Sequence, residues 1–363
     1  MAGDAERIKE LEDLIANSQY NKRTQKAIGL YKAQLARLKE KVSSRRSGSQ
    51  ADGYSVRKTG DGTVVLLGFP SVGKSTLLNG ITGAESEVGS YAFTTLSVIP
   101  GVLEYNYAKI QVLDVPGIVR GAASGKGRGT EVFSVLRNAD LILILVDVQF
   151  PEHYHAIMKE VYESGIRLNK KRPDVKIKKT AKDGIKISKT VRLPNLANET
   201  IEGVLRTFRI NNADIVIRSN ITVDELIDCI EDNKKYVPGI VVLNKVDLVS
   251  EGYAEKISKQ VNADIMISAE KKEHLEELKE LIFNKLDLIR IYMKEPGKEA
   301  DLEEPLIISR NSTVRDVCSK LHKDFVKQFK FCRVWGPSSK FPGQKLSIKH
   351  TLKDMDILEI HVR

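Results

Sequence analysis

Cysteine and aromatic residues are scarce: three Cys, one Trp and 6% aromatics in 363 residues. Cys229, Cys318 and Cys332 are odd in number, widely spaced and without a C-x-x-C pair, so neither a disulfide framework nor a zinc site is implied. They read as ordinary thiols. Long apolar runs are also missing. The longest, Leu141 to Val146, falls far short of the roughly 18 residues a membrane span requires. The stretch MAGDAERIKELED holds no apolar signal-peptide core, so a cytoplasmic compartment and no membrane partner are expected. The 41% of hydrophobic residues set against 29% charged suffices for packed cores and excludes a wholly disordered or collagen-like chain. At about 100 to 200 residues per domain, two or three domains are expected.

Negative charge is nearly absent from one segment. Arg167 to Arg192 carries eleven basic residues against Asp174 and Asp183, which concentrates there nine of the ten net positive charges of the chain. A single basic face is therefore expected, and with it a polyanionic partner.

Residues 4 to 45 place apolar side chains at helical spacing: Ile8, Leu11 and Ile15, then, after a break at Asn17 to Asn21, Ile28, Tyr31, Leu35, Leu38 and Val42. Two such helices make no large core and must pack on each other, on the rest of the chain or on a partner. The Ser- and Gly-rich segment that follows reads as a linker. From Thr63 apolar strands alternate with helices: TVVLLG, a helix from Lys74, a hairpin turning at Tyr105 to Tyr107, and LILILV. That pattern indicates a mostly parallel sheet covered on both faces. The next such strand, GIVVLN, begins only at Gly239, whereas a strand-helix-strand unit takes about 30 residues. An inserted basic α+β piece fits the gap, with a hairpin turning at Asp183-Gly184 and a helix near ITVDELIDCIEDN. Leu275, Leu278, Ile282, Leu286 and Ile289 then predict one helix face, Glu295 to Lys298 reads as a linker, and a β-rich unit with one helix closes the chain. The expected plan is a helical hairpin at 1–45, a linker at 46–60, an α/β domain at 60–166 and 236–290, the insert at 167–235, and the last unit at 291–363.

The chemistry is concentrated in four motifs. Gly68-Phe-Pro70-Ser71-Val72-Gly73-Lys74-Ser75 satisfies G-x-x-x-x-G-K-[ST] between a predicted strand and a predicted helix. Its backbone N–H groups, with Thr76 at the helix start, would surround phosphate oxygens, Lys74 would neutralise the β and γ charge, and the Ser75 hydroxyl would ligate Mg2+. Asp114-Val-Pro-Gly117 ends the next strand as D-x-x-G, where Asp114 would hold Mg2+ and the Gly117 N–H would sense the γ-phosphate. Asn244-Lys245-Val-Asp247 follows the strand after the insert. An Asp247 carboxylate there accepts from guanine N1–H and N2–H2, a donor pair that adenine lacks. Ser268-Ala269-Glu270 can set a backbone N–H against guanine O6. Between the first two motifs, Phe93-Thr94-Thr95 lies in a polar loop from which Thr95, in preference to Thr94, would reach Mg2+ once γ-phosphate is bound. Four motifs in this order, each at a strand end, point to GTP and GDP as ligands.

Together GFPSVGKS, YAFTTL, DVPGI followed by GAASGKGRG, NKVD and SAE closely resemble the developmentally regulated GTP-binding proteins, relatives of the Obg GTPases. The likeness covers nearly the whole chain. It implies a P-loop GTPase domain with an N-terminal helical hairpin, a small insert and a C-terminal ubiquitin-like TGS domain. It further implies a cytoplasmic GTPase associated with translating ribosomes, with regulatory protein partners in eukaryotic members. This chain departs from the pattern at three places. Ile118 stands where Ras-like enzymes carry a water-orienting Gln, so slow intrinsic hydrolysis is expected. Ser71 replaces the Asn usual in potassium-dependent relatives, which argues against K+. Arg120 stands where an acidic residue is usual.

Two readings of function follow: a GTP-hydrolysing switch, or a GTP-binding scaffold with negligible hydrolysis whose flanking domains do the work. An ATP-driven small-molecule enzyme is disfavoured by Asn244 and Asp247. The basic insert is the leading RNA contact. Trp335, Phe331 and Phe341 read as core packing before a recognition surface, and His153 and His155 form an H-x-H pair without a further ligand.

Overall fold

The computed structural model describes residues 2–19, 21, 24–46, 60–82, 99–115 and 129–362. Two compact units divide the chain, Met1–Gly53 with Lys170–Tyr236, and Tyr54–Asn169 with Val237–Arg363. Helices α1 (Ala2–Asn17) and α2 (Gln25–Arg46) come first. The chain continues as β1 (Gly62–Leu67), α3 (Lys74–Ile81), β2 (Ile99–Tyr105), β3 (Ala108–Asp114), α4 (Gly129–Asn138), β4 (Leu141–Asp147) and α5 (Glu152–Glu163). Next come β5 (Ile166–Leu168), β6 (Val175–Lys179), β7 (Ile185–Lys189), α6 (Asn198–Thr207), β8 (Ala213–Ile217), α7 (Val223–Glu231) and β9 (Lys235–Val237). After β10 (Gly239–Asn244), a 3-10 turn (Val246–Leu248), α8 (Glu251–Val261), β11 (Ile265–Met266) and α9 (Leu275–Lys285) follow. The last stretch is β12 (Leu288–Lys294), β13 (Leu306–Ser309), α10 (Val314–Leu321), α11 (Lys323–Gln328), β14 (Phe329–Trp335), β15 (Gln344–Leu346) and β16 (Asp356–Val362).

In the larger unit one sheet runs β11-β10-β4-β1-β3-β2, parallel except where β2 turns back on β3. β1, β4 and β10 are buried along their whole length, as continuous apolar runs demand in a sheet covered on both faces. Alternate residues serve opposite cores. Val65, Leu67, Ile142, Ile144 and Val146 face α4, α5 and α8, while Val64, Leu66, Leu143 and Leu145 face α3 and α9. The parallel strands all end at one edge of the sheet, and every described motif lies just beyond that edge.

The second sheet of this unit runs β13-β12-β16-β14-β15, with α10 packed on it through Val314, Val317 and Cys318. Three expectations need correction here. Ile289 is not on the helix that carries Leu275 and Leu278: that helix stops at Lys285, Asp287 adopts φ 55, and Ile289 and Ile291 then alternate into the core from β12. The segment Glu295 to Lys298 is a tight turn between paired strands, not a linker, closed by the Lys298 N–H donating to Glu295 O and a bridge between Lys294 and Ala300. The single helix expected near Thr313 is two, broken at His322. Leu288 and Ile307 join the core of the first sheet, and Lys320 Nζ reaches Asp61 Oδ1 at 2.8 Å, so the two sheets of the unit are tied together. Phe331 and Trp335 lie outside this second core on the opposite face of β14: Phe331 stacks on His361 with centroids 4.2 Å apart, Lys294 Nζ lies 5.1 Å from the Trp335 ring, and Phe341 is exposed.

In the other unit α2 packs on α6 and α7. Ala33 enters the core formed by Ile201, Val204, Leu226 and Ile215, and Gly203 leaves room for Leu30, whose Cδ2 would sit 2.8 Å from any Cβ there. Thr222 and Glu225 form a capping box that starts α7. The expected hairpin between the two Lys-rich strands is not formed. β6 and β7 do not pair with each other; β8 lies between them, antiparallel to β6 and parallel to β7. The reason is composition: ADIVI can be buried as a central strand, whereas VKIKK and IKISK expose a lysine at alternate positions.

Candidate nucleotide-binding site

The loop between β1 and α3 turns through two residues in the left-handed region, one of which has no room for a side chain. Ser71 has φ 62 and Gly73 φ 97, and a Cβ on Gly73 would lie 2.5 Å from Asn244 Nδ2. Lys74, buried at the start of α3, folds back over the loop and donates to the carbonyls of Phe69 (3.1 Å) and Gly68 (3.3 Å). Burial lowers its pKa, and the opposing pull of Asp114 only partly offsets this. Ser75 Oγ donates to Asp114 Oδ2 at 2.6 Å, and Asp114 is 7% exposed at the end of β3. Two hard oxygens thus converge beside the phosphate loop. That donor set suits Mg2+, which takes few protein ligands and completes its shell with phosphate and water. Among the described residues no group of three or more His, Cys, Asp or Glu gathers as a metal site, here or elsewhere. Pro70, Ser71 and Thr76 are exposed, while Val72 is buried.

Asn244, 1% exposed at the end of β10, ties three loops together. Its Nδ2 donates to Val72 O at 2.9 Å and its Oδ1 accepts from Ala269 N at 3.0 Å. Lys245, at φ 65, extends its ammonium to Ser71 O at 2.8 Å. Asp247 lies in the 3-10 turn, half-exposed, and its carboxylate makes no hydrogen bond or ion pair among the described residues. Ser268 is fully buried, its hydroxyl accepting from Lys271 N at 3.1 Å, and two backbone bonds with Glu273 close the loop. Asn244 engages the Ala269 amide, which leaves the Glu270 amide as the N–H of this motif without a partner among the described residues. Phe93, Thr94, Thr95, Gly117, Ile118 and Arg120 lie outside the described residues.

A profile described as "50S ribosome-binding GTPase" matches residues 63–179, one described as "C-terminal region of MMR_HSR1 domain" matches 182–288, and one described as "TGS domain" matches 289–362. Developmentally-regulated GTP-binding protein 1 of Xenopus laevis is 43% identical to this chain, over 99% of each. The chain belongs to the developmentally regulated GTP-binding protein family. Ribosome-interacting GTPase 1 of Saccharomyces cerevisiae is 42% identical over 99% of both chains. An uncharacterized GTP-binding protein of Methanocaldococcus jannaschii is 50% identical over 99% of this chain and 93% of its own.

This member of the family is thus a GTP-binding protein, with a P-loop GTPase domain and a C-terminal TGS domain. Its site contains one residue that motif reading missed. Asp147 ends β4 opposite Asn244 in the register of β4 and β10, and its carboxylate accepts from Lys245 Nζ at 2.7 Å. The available signal was a charge closing the apolar run LILILV. His153 and His155 diverge: His153 stacks on Phe69 of the phosphate loop with centroids 4.1 Å apart, and His155 meets Tyr154 edge-on.

Proposed function

We propose that this protein hydrolyses GTP to GDP and phosphate with Mg2+, and that its nucleotide state governs association with ribosomes in the cytoplasm. The observation that carries the reading is the set of bonds through Asn244, which fixes phosphate loop and base loops together while leaving the Asp247 carboxylate free to accept from guanine. The phosphate-loop amides and the start of α3 would receive the triphosphate. Lys74 would exchange its two carbonyl partners for β- and γ-oxygens, and phosphate charge beside it would restore a pKa that burial depresses. Ser75 and Asp114, with Thr95, are the residues that would hold Mg2+, which when bound supplies charge neutralisation at the β- and γ-oxygens. The Gly117 N–H would register the γ-phosphate, and the Glu270 amide would face guanine O6.

Ile118 cannot orient water, so intrinsic turnover is expected to be slow, with assistance worth on the order of 10^3 to 10^5 to come from a monovalent cation, another residue or a partner. The same residue favours a second reading, a GTP-binding scaffold with negligible hydrolysis. Phosphate release over many turnovers, with and without ribosomes and in sodium or potassium, separates the two: a ribosome-stimulated rate supports the switch, and none in any condition supports the scaffold. The name of the Saccharomyces cerevisiae relative and the basic strands β6 and β7 support a ribosomal or RNA partner. Among the described residues no helix is long and apolar enough to cross a membrane. The base assignment is tested by Asp247→Asn. Calorimetry should find a wild-type preference for GTP over ATP that the variant loses; a retained preference would refute the assignment.

A further inference from the structure

Lys245 joins two parts of the site that no other described side chain but Asn244 connects. Its backbone belongs to the base loop, while its ammonium lies on the phosphate loop at Ser71 O. The side chain therefore stretches across the space between base and phosphates, and its four-carbon stem offers an apolar wall to a purine and ribose. A lysine is not held in such a posture by a carbonyl alone: a half-exposed stem with several rotatable bonds loses considerable rotamer entropy on being fixed. Asp147 supplies the restraint. Its side chain is 6% exposed against 31% for Lys245, so the pair has its anion inside and its cation at the rim. The carboxylate is itself immobile, because Oδ1 accepts from Gln149 N at 2.9 Å while Oδ2 takes the lysine. β4 and β10 are locked in register at this point, with the Val148 N–H donating to Asn244 O at 3.1 Å.

We infer that Asp147 is a positioning residue for guanine nucleotides: it holds Lys245 stretched between the base loop and the phosphate loop, and so slows nucleotide release without reading the base. The inference rests on the nucleotide-site reading above and adds a separable role, since Asp247 supplies selectivity and Asp147 supplies retention. An amide at position 147 keeps the shape and can accept from Gln149 N, yet it removes the charge that fixes the ammonium.

The test is a double-mutant cycle on full-length protein, read by stopped-flow release of fluorescent GDP and by GDP and IDP affinities. Asp147→Asn should speed GDP release about tenfold, weaken GDP and IDP by the same factor, and leave the melting temperature of the nucleotide-free protein nearly unchanged. Lys245→Met, which keeps an apolar stem, should speed release at least as much, and the double variant should be no faster than Lys245→Met. Wild-type release in Asp147→Asn, or effects that simply multiply in the double variant, overturns the inference. Should Asp147→Asn fail to fold, Lys245→Met alone decides, since wild-type release there also overturns it. Asp247→Asn run in parallel separates the two claims: if it keeps guanine preference, the base assignment falls, whereas the cycle still reports on Asp147.

Discussion

At the scale of single residues, the site depends on a side chain that is absent. Gly73 holds φ 97, where an L-residue is strained by about 1–2 kcal/mol, and its α-carbon lies against the amide that ties the loops together. Gly73→Ala therefore carries two penalties of different kinds. The strain lowers stability, and the new methyl, 2.5 Å from Asn244 Nδ2, displaces the clamp from Val72 O. Both should be measurable: a lower melting temperature without nucleotide, and a loss of GTP and GDP affinity larger than that drop accounts for. Affinity that falls only in proportion to stability would mean that the Asn244 clamp is dispensable. Asn244→Ala provides the complement, since it keeps the backbone and removes the clamp, and it should weaken nucleotide binding without the strain.

At the scale of elements, the last sheet contains a buried acid whose charge is balanced from two strands. Glu359 on β16 accepts from Lys294 on β12 and from His361 on its own strand, each at 2.6 Å, and Arg333 of β14 stands opposite it in register. Burial raises its pKa, and the hydrogen bonds and charges of Lys294 and His361 outweigh this, so the carboxyl titrates below the ordinary glutamate value. The sign follows from linkage: the contribution to stability is complete above about pH 4.3 and fades as pH falls through the lower folded-state value. Glu359→Gln should melt below wild type near neutral pH, with the two curves converging under acid; parallel curves would show the charge to be irrelevant. Other elements differ in how openly the sequence declares them. β1, β4 and β10 were legible because a strand buried on both faces must be apolar throughout, and the phosphate loop because strand, glycines and Lys74 are contiguous. The pairing of β6 and β7 was not legible: Asp183-Gly184 does mark a turn, but the strand that fills the space between them comes from Ala213 to Ile217. β12 was hidden because Leu286 and Ile289 extend the helical spacing past the point where Asp287 turns the chain. Asp147 was hidden because its partner, Lys245, is distant in sequence and adjacent only across paired strands.

At the scale of the whole molecule, the question is where a chain of net charge +10 directs its field. Arg167 of the basic segment is buried on β5 against Tyr162 and Arg172 is paired with Asp232, whereas the three strands β6-β8-β7 carry part of the charge on one face. Lys176, Lys178 and Lys186 are exposed there at alternate positions, and the register sets Asp214 of the central strand between Lys178 and Lys186. Lys179 and Lys182 extend the same charge toward the turn. A surface of this composition neutralises phosphates without reading bases, so its signature is the dependence of affinity on salt. Reversing Lys178, Lys179, Lys182 and Lys186 to Glu should weaken cosedimentation with ribosomes and flatten the plot of log affinity against log salt by about 0.7 to 0.9 for each phosphate no longer neutralised. Asp214→Asn makes the opposite prediction from the same register. Removing the one acid between two lysines should strengthen ribosome binding and steepen the salt slope, with GTP affinity unchanged in both variants. A slope that moves in neither direction would show that the charge of this sheet serves solvation and that the ribosome is met elsewhere.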